Sequence, residues 1–161
     1  MNVLIVFASK AGGTKGLADM IGTELARRGH AVTVCDAAKA AVSQDMQAVI
    51  VAGALYSGSW HRDAAGFVRK NRTLLDGLPT WLVSSGPLDG TADQGTRPPT
   101  PDVARLASEI GARGTETFGG VLDDGAQGFI AKSMVKHGKG GDFRSPEHVA
   151  AWVEQIEPLL R

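Results

Sequence analysis

An open, doubly wound α/β fold, with a five-stranded parallel sheet and helices on both faces, is what this sequence predicts. Three observations predict it. Apolar runs rich in branched residues, such as Val3-Leu4-Ile5-Val6-Phe7-Ala8, are continuous rather than alternating, as in strands covered on both faces. Segments with apolar residues at helical spacing lie between them, so strand and helix alternate along the chain. Glycine-containing loops follow the first, third and fourth runs, and an open sheet of this kind binds ligands at the carboxyl ends of its strands.

The first strand stops at Ser9-Lys10-Ala11-Gly12-Gly13, and a helix follows from Thr14 to Arg28, with Leu17, Ile21 and Leu25 four apart and Gly29 as its end. Ala31 to Asp36 is the second strand. Ala38 to Gln47 has a weak pattern and reads as a short helix or turn. Ala48 to Gly53 is the third strand, followed by a loop of small and aromatic residues, Ala54-Leu55-Tyr56-Ser57-Gly58-Ser59-Trp60, and a helix from about Arg62 to Asn71. Thr80 to Ser84 forms the fourth strand and leads into Ser85-Gly86-Pro87-Leu88. Asp89 to Pro101, with its glycines, threonines and three prolines, is expected to be an exposed loop. A helix from Asp102 to Gly111 precedes the fifth strand, Thr115 to Leu122. After an excursion from Asp123 to Arg144, Ser145 as N-cap and Pro146 at the first helical position open a last helix to about Leu160. Right-handed crossovers are expected throughout. No repeat or linker divides the chain, so residues 1–161 read as one domain.

The loop after the first strand is the first place to look for chemistry. It supplies two hydroxyls, Ser9 and Thr14, a pliable backbone at Gly12-Gly13, and a helix N-terminus whose free amides and dipole suit an anionic phosphate. It lacks the Gly-Lys-Ser/Thr ending of a P-loop. Gly12, Gly13 and Gly16 also miss the G-x-G-x-x-G spacing of a dinucleotide site. A mononucleotide phosphate fits it better, and an ordinary strand-to-helix turn is the plain alternative.

Ser9-x-x-Gly12-x-Thr14 resembles the phosphate motif of the flavodoxin-like, FMN-binding family, and the resemblance runs along essentially the whole chain. Gly53 to His61, Ser84 to Leu88, Phe118 to Asp123 and Gly141-Asp142-Phe143-Arg144 resemble the branch that includes menaquinone-dependent protoporphyrinogen IX dehydrogenase. The resemblance implies that Ser9, Lys10, Ala11, Gly12, Gly13 and Thr14 enclose the FMN phosphate. It implies that Ala54, Leu55, Tyr56, Ser57, Gly58 and Trp60 border the isoalloxazine ring, and that Ser84, Ser85, Gly86, Pro87 and Leu88 cover its other side. Tyr56 or Trp60 offers an aromatic face for stacking, and Gly58 allows close backbone approach. Two departures stand out. Ala11 replaces the middle Thr of the motif, removing one hydroxyl, and Ser145-Pro146 stands where the branch often has Asp-Trp.

His61 is a weak catalytic candidate as a proton donor to reduced flavin or substrate; the alternative is a cap on the next helix. Trp81, Trp152 and Cys35 read as core packing. Asp123-Asp124 has no other ligands near it in sequence, so no metal site is expected. In the excursion, Phe129 to His137 carries apolar residues on one side of a helical pattern and Lys132 and Lys136 on another, with Lys139 and Arg144 adding charge. It reads either as a solvated surface segment or as a cationic, partly apolar lid, meeting an anionic flat substrate or making peripheral contact with a quinone-containing membrane.

Seventeen basic side chains cancel seventeen acidic ones, which leaves no footprint for nucleic acid. No run is long enough to span a bilayer, the N-terminus lacks the features of a secretory signal, and the single cysteine cannot form an internal disulfide. A cytoplasmic location is expected. Two functions compete: an FMN-dependent oxidoreductase acting on a small molecule with a quinone acceptor, and a flavodoxin-type electron carrier that docks redox partner proteins. Dedicated carriers of the family tend to be acidic, which this chain is not. A module that has lost FMN is a third reading, opposed by Ser9 and Thr14. Use of a deazaflavin and the oligomeric state stay open.

Overall fold

The continuous apolar runs form the middle of the sheet. The computed structural model describes residues 1–9, 12–56, 58–86, 98–122, 141–142 and 144–160. β1 (Asn2–Ala8) lies between β2 (Ala31–Asp36) and β3 (Ala48–Tyr56), and β5 (Thr80–Ser85) and β6 (Gly114–Phe118) extend the sheet beyond β3. The order β2-β1-β3-β5-β6 is parallel throughout. A sixth strand, β4 (Ser59–Trp60), pairs antiparallel with the end of β3, so the sheet has one short strand more than the five expected.

Alternation along the strands divides the core between the two faces. Val3, Ile5, Ile50 and Val83 pack with Leu17, Ile21 and Leu25 of α1 (Gly13–Arg27) and with Val149, Trp152 and Ile156 of α5 (Pro146–Ile156). Leu4, Val6, Val51 and Leu82 face the other way. They meet Phe67 and Val68 of α2 (Arg62–Lys70), Leu75 of α3 (Arg72–Asp76), and Val103 and Leu106 of α4 (Pro101–Glu109). Complete burial of each large aliphatic side chain contributes about 1.5–3 kcal/mol. Trp81 and Trp152 are core residues, and Cys35 is partly buried against the second cluster.

The helix ends follow the local chemistry. At the end of α1, the Gly29 amide donates to the Ala26 carbonyl at 3.0 Å and the His30 amide to Leu25 at 3.2 Å, with Gly29 at φ 94°. This is a Schellman closure, which the absence of a Cβ permits. Ser145 caps α5, its Oγ accepting from the His148 amide at 3.1 Å, and Pro146 occupies the first turn.

Residues 38–47 form turns, one of the two alternatives expected there. Several boundaries differ from expectation. The helix expected from Arg62 to Asn71 stops at Lys70, and α3 follows. At the junction the Asn71 side-chain amide and backbone amide both donate to the Phe67 carbonyl, at 2.9 and 3.1 Å. The expected strand from Thr115 to Leu122 breaks at Gly119-Gly120. β6 ends at Phe118, and β7 (Val121–Leu122) leaves the sheet to pair antiparallel with β8 (Gly141–Asp142). Residues 123–140, including Asp123-Asp124, Lys132, Lys136 and Lys139, and also Phe143, lie outside the described residues, as do residues 87–97 of the expected Asp89–Pro101 loop.

Candidate functional site

From β1 the chain proceeds to β2 on one side, and β3 lies on the other. The order of strands reverses there, which opens a crevice at the carboxyl ends of β1 and β3. Three of the stretches singled out in the sequence meet at this end. Ala8, just before Ser9, pairs with Gly53, and Ala54 pairs with Ser85. Of the residues expected here, Lys10, Ala11, Ser57, Pro87 and Leu88 lie outside the described residues.

The turn into α1 has the features of a helix N-terminus open to an anion. Gly12 caps the helix in the left-handed region, φ 79°, without any side-chain cap, and its amide donates to Ser9 Oγ at 3.2 Å. The first turn carries no acidic residue. Thr14 is 1% exposed, and its Oγ1 has no hydrogen-bond partner among the described residues. Leaving a buried hydroxyl unpaired costs about 1–3 kcal/mol. A phosphate at this helix end would accept that O–H together with the free backbone amides, so the chemistry of the turn fits a mononucleotide phosphate. Sequence reading did not place Arg144 at this turn. Its guanidinium lies along the turn, with Nη1 at 3.5 Å from the Gly13 carbonyl oxygen, in space that a Cβ on Gly16 would fill.

The expected loop after β3 is instead a β-hairpin. β3 continues through Tyr56, the chain turns, and β4 returns with Tyr56 opposite Ser59 and Leu55 opposite Trp60. Gly58 lies at φ 79°, a conformation suited to tight hairpin turns. Trp60 holds the hairpin from below. It is 4% exposed, its indole donates to the Val83 carbonyl at 3.3 Å, and it packs where Gly53 leaves room. The aromatic face at the surface therefore belongs to Tyr56, 38% exposed, rather than to Trp60.

Asp102 ties the same hairpin to α4. Its Oδ2 accepts from the Trp60 amide at 2.8 Å and its Oδ1 from the Thr100 hydroxyl at 2.5 Å. Burial pushes this carboxyl up, but the bonds from Thr100 and from the Trp60 and Val103 amides together outweigh burial and hold it below the usual range. His61 caps α2: its Nδ1 accepts from the Asp63 amide at 3.0 Å, so the neutral ring carries its proton on Nε2. The Tyr56 and His61 rings lie 5.9 Å apart. At the end of β5, Gly86 (φ 134°) donates its amide to the Phe118 carbonyl at 2.9 Å and faces Leu55. Ala54, Ser84 and Ser85 are buried.

At the opposite end of the sheet a recess of about 510 Å³ is lined by Met1, Gly29, His30, Glu157 and Pro158. Its polar groups satisfy one another. Glu157 receives His30 Nε2 at 2.9 Å and Arg28 Nη1 at 3.0 Å, and those two bonds, His30 first, hold its carboxyl below the ordinary value. Among the described residues no helix is long and apolar enough to cross a membrane, and no cluster of His, Cys, Asp and Glu is placed to hold a metal ion.

The family model described as a flavodoxin domain matches residues 4–142. The fold is similar to that of a short-chain flavodoxin associated with a bacterial microcompartment, at 12% identity over 100% of this chain and 99% of that one, with a TM-score of 0.65. The flavodoxin of Streptococcus pneumonia is similar at 23% identity over 95% and 100%, TM-score 0.55. A mutant flavodoxin of Fusobacterium nucleatum, bound to flavin mononucleotide, is similar at 14% identity over 99% and 97%, TM-score 0.56. A search of curated proteins returned no match.

Proposed function

This chain belongs to the flavodoxin domain family, and from that premise we propose that it is an FMN redox protein that passes electrons at the flavin edge beside the Tyr56–Ser59 hairpin. The observation that carries this reading is the buried, unpaired Thr14 hydroxyl in a helix N-terminal turn without acidic residues. FMN is the cofactor. When bound, it takes up and releases electrons singly or in pairs. The chain's own residues bind and orient it. Ser9 fixes the backbone of the turn through Gly12, and Thr14 Oγ1 would donate to the phosphate. Tyr56 would offer its exposed ring to the flat flavin, and Gly58 would let the hairpin backbone approach its polar edge. Trp60 and Asp102 hold that hairpin in place from beneath.

Electron transfer to and from partner proteins is the reading in keeping with the flavodoxins this chain is similar to. A second reading is an enzyme that oxidises a protoporphyrinogen-type molecule with a quinone acceptor. It is favoured by the zero net charge, which does not provide the acidic surface that steers a carrier to basic partners. The resemblance of residues 53–61, 84–88, 118–123 and 141–144 to that branch also favours it. The protein reconstituted with FMN should show bound-flavin absorbance, and failure to take up FMN overturns both readings. Reduction by a flavodoxin reductase without protoporphyrinogen oxidation supports the carrier. Quinone-dependent oxidation of protoporphyrinogen supports the enzyme.

A further inference from the structure

We propose that Asp102 is a positioning residue for the flavin ring: its carboxylate clasps the β3–β4 hairpin to the chain returning from β5, fixing the spacing of the two segments that would flank the ring. The proposal rests on the FMN reading above and concerns the ring rather than the phosphate. β4 is two residues long, and so short a pair of strands does not hold its position by its own hydrogen bonds. The His61 amide turns inward to the Ala54 carbonyl at 2.9 Å. Alternation along the strand therefore turns the Trp60 amide outward, away from β3. Asp102 Oδ2 takes that outward amide at 2.8 Å.

The second carboxylate oxygen serves the other segment. Oδ1 accepts from the Thr100 hydroxyl at 2.5 Å. Thr100 stands at the N-cap of α4 yet makes no cap bond with its side chain; the hydroxyl that ordinarily closes a helix is turned to the carboxylate instead. The hairpin continues β3, and Thr100 ends the connection that follows β5. The two segments leave the sheet side by side, where Ala54 pairs with Ser85, and Asp102 joins them again at their far ends. The Trp60 indole fastens the inner side of the hairpin to β5 at the Val83 carbonyl, and Asp102 fastens its outer side to α4. Cutting the clasp would let the two segments part. FMN and riboflavin carry the same ring, so both would be held less well, and by the same factor.

The experiment is a fluorescence titration of the apoprotein with FMN and with riboflavin, together with the midpoint potential of bound FMN. It compares wild type, Asp102→Ala, Asp102→Asn, Thr100→Val and Leu75→Ala, the last a core change in α3 that lowers stability without touching the clasp. Asp102→Ala is expected to weaken both ligands alike, by roughly tenfold, and to shift the potential. Asp102→Asn can accept from the Trp60 amide with its oxygen and donate to the Thr100 oxygen with its amide, so both affinities should stay within about twofold of wild type. Thr100→Val cuts one arm and should fall between. Leu75→Ala should lower Tm and leave the affinities and the potential in place. Unchanged affinities in Asp102→Ala or Thr100→Val would overturn the proposal, as would weakening of FMN alone. So would Asp102→Asn as weak as Asp102→Ala, which would make charge the cause, or equal weakening in Leu75→Ala, which would make it general stability. If Asp102→Ala fails to fold, Thr100→Val decides. Wild type that binds neither ligand would refute the FMN reading itself, an outcome distinct from wild type that binds flavin no better than the variants, which refutes only the role of Asp102.

Discussion

The two ends of the sheet are made of the same kinds of residue and treat them in opposite ways. At the amino end, Gly29 and Gly111 take positive φ to close helices, each followed by backbone hydrogen bonds that finish the turn, and Glu24, Arg28, His30 and Glu157 pair among themselves. At the carboxyl end, Gly12, Gly58 and Gly86 also take positive φ, but they shape a bare helix N-terminus, a hairpin tip and a strand end. There the Thr14 hydroxyl is left without an acceptor. Complete local satisfaction marks the end that keeps the fold together. The buried Thr14 hydroxyl, without a partner among the described residues, is what the proposed FMN phosphate would satisfy.

Substitutions at the two ends should therefore separate stability from FMN affinity. Trp60→Ala is expected to have the largest effect, because it empties core space under the hairpin: a loss of about 3–5 kcal/mol in urea unfolding, with weaker FMN binding. Asp102→Ala should cost about 1.5–3 kcal/mol, since two donors lose a charged acceptor. The pH dependence of that loss follows from the lowered Asp102 carboxyl. The contribution is full above the ordinary Asp value, about 4, and disappears as pH falls through the lower folded value. Wild type and Asp102→Ala should thus converge in stability in acid, and a gap that persists there would count against the carboxylate. Thr14→Val should weaken FMN by roughly tenfold while leaving the apoprotein as stable or slightly more so, because no hydroxyl is then buried unpaired. Glu157→Gln should do the reverse on the smallest scale: a slight fall in Tm that salt abolishes, with FMN affinity unchanged. A loss of FMN affinity in Glu157→Gln, or of apoprotein stability in Thr14→Val, would break the contrast between the two ends.

Much of this arrangement was legible in the sequence because its causes are local. The runs of β1 and β2, the periodicity of α1 with its Gly29 stop, and the Ser145-Pro146 start of α5 each act within a few residues. The hairpin was less legible: Ala54-Leu55-Tyr56 reads as small and irregular, although Ser57-Gly58 between two short segments is a recognisable hairpin turn. α3 is too short for its periodicity to register, and β6 ends at a Gly-Gly pair inside what reads as one apolar run. Contacts made by the folded topology were not legible. Asp102 reaches Trp60 across 42 residues, and Arg144 reaches Gly13 across 131. Nothing in either residue's neighbourhood announces its partner, whereas Ser9-x-x-Gly12-x-Thr14 carries its own explanation in its spacing.

The ribbon of β7 and β8 bears on how such a protein diversifies. Pairing Val121-Leu122 with Gly141-Asp142 sets the two ends of residues 123–140 side by side and anchors them next to the sheet. The cost of joining two fixed neighbouring points grows only slowly with the length of chain between them. That segment can therefore be lengthened, trimmed or exchanged over generations at little expense to folding. Descendants that differ in it could acquire different clients while inheriting the same cofactor turn unchanged.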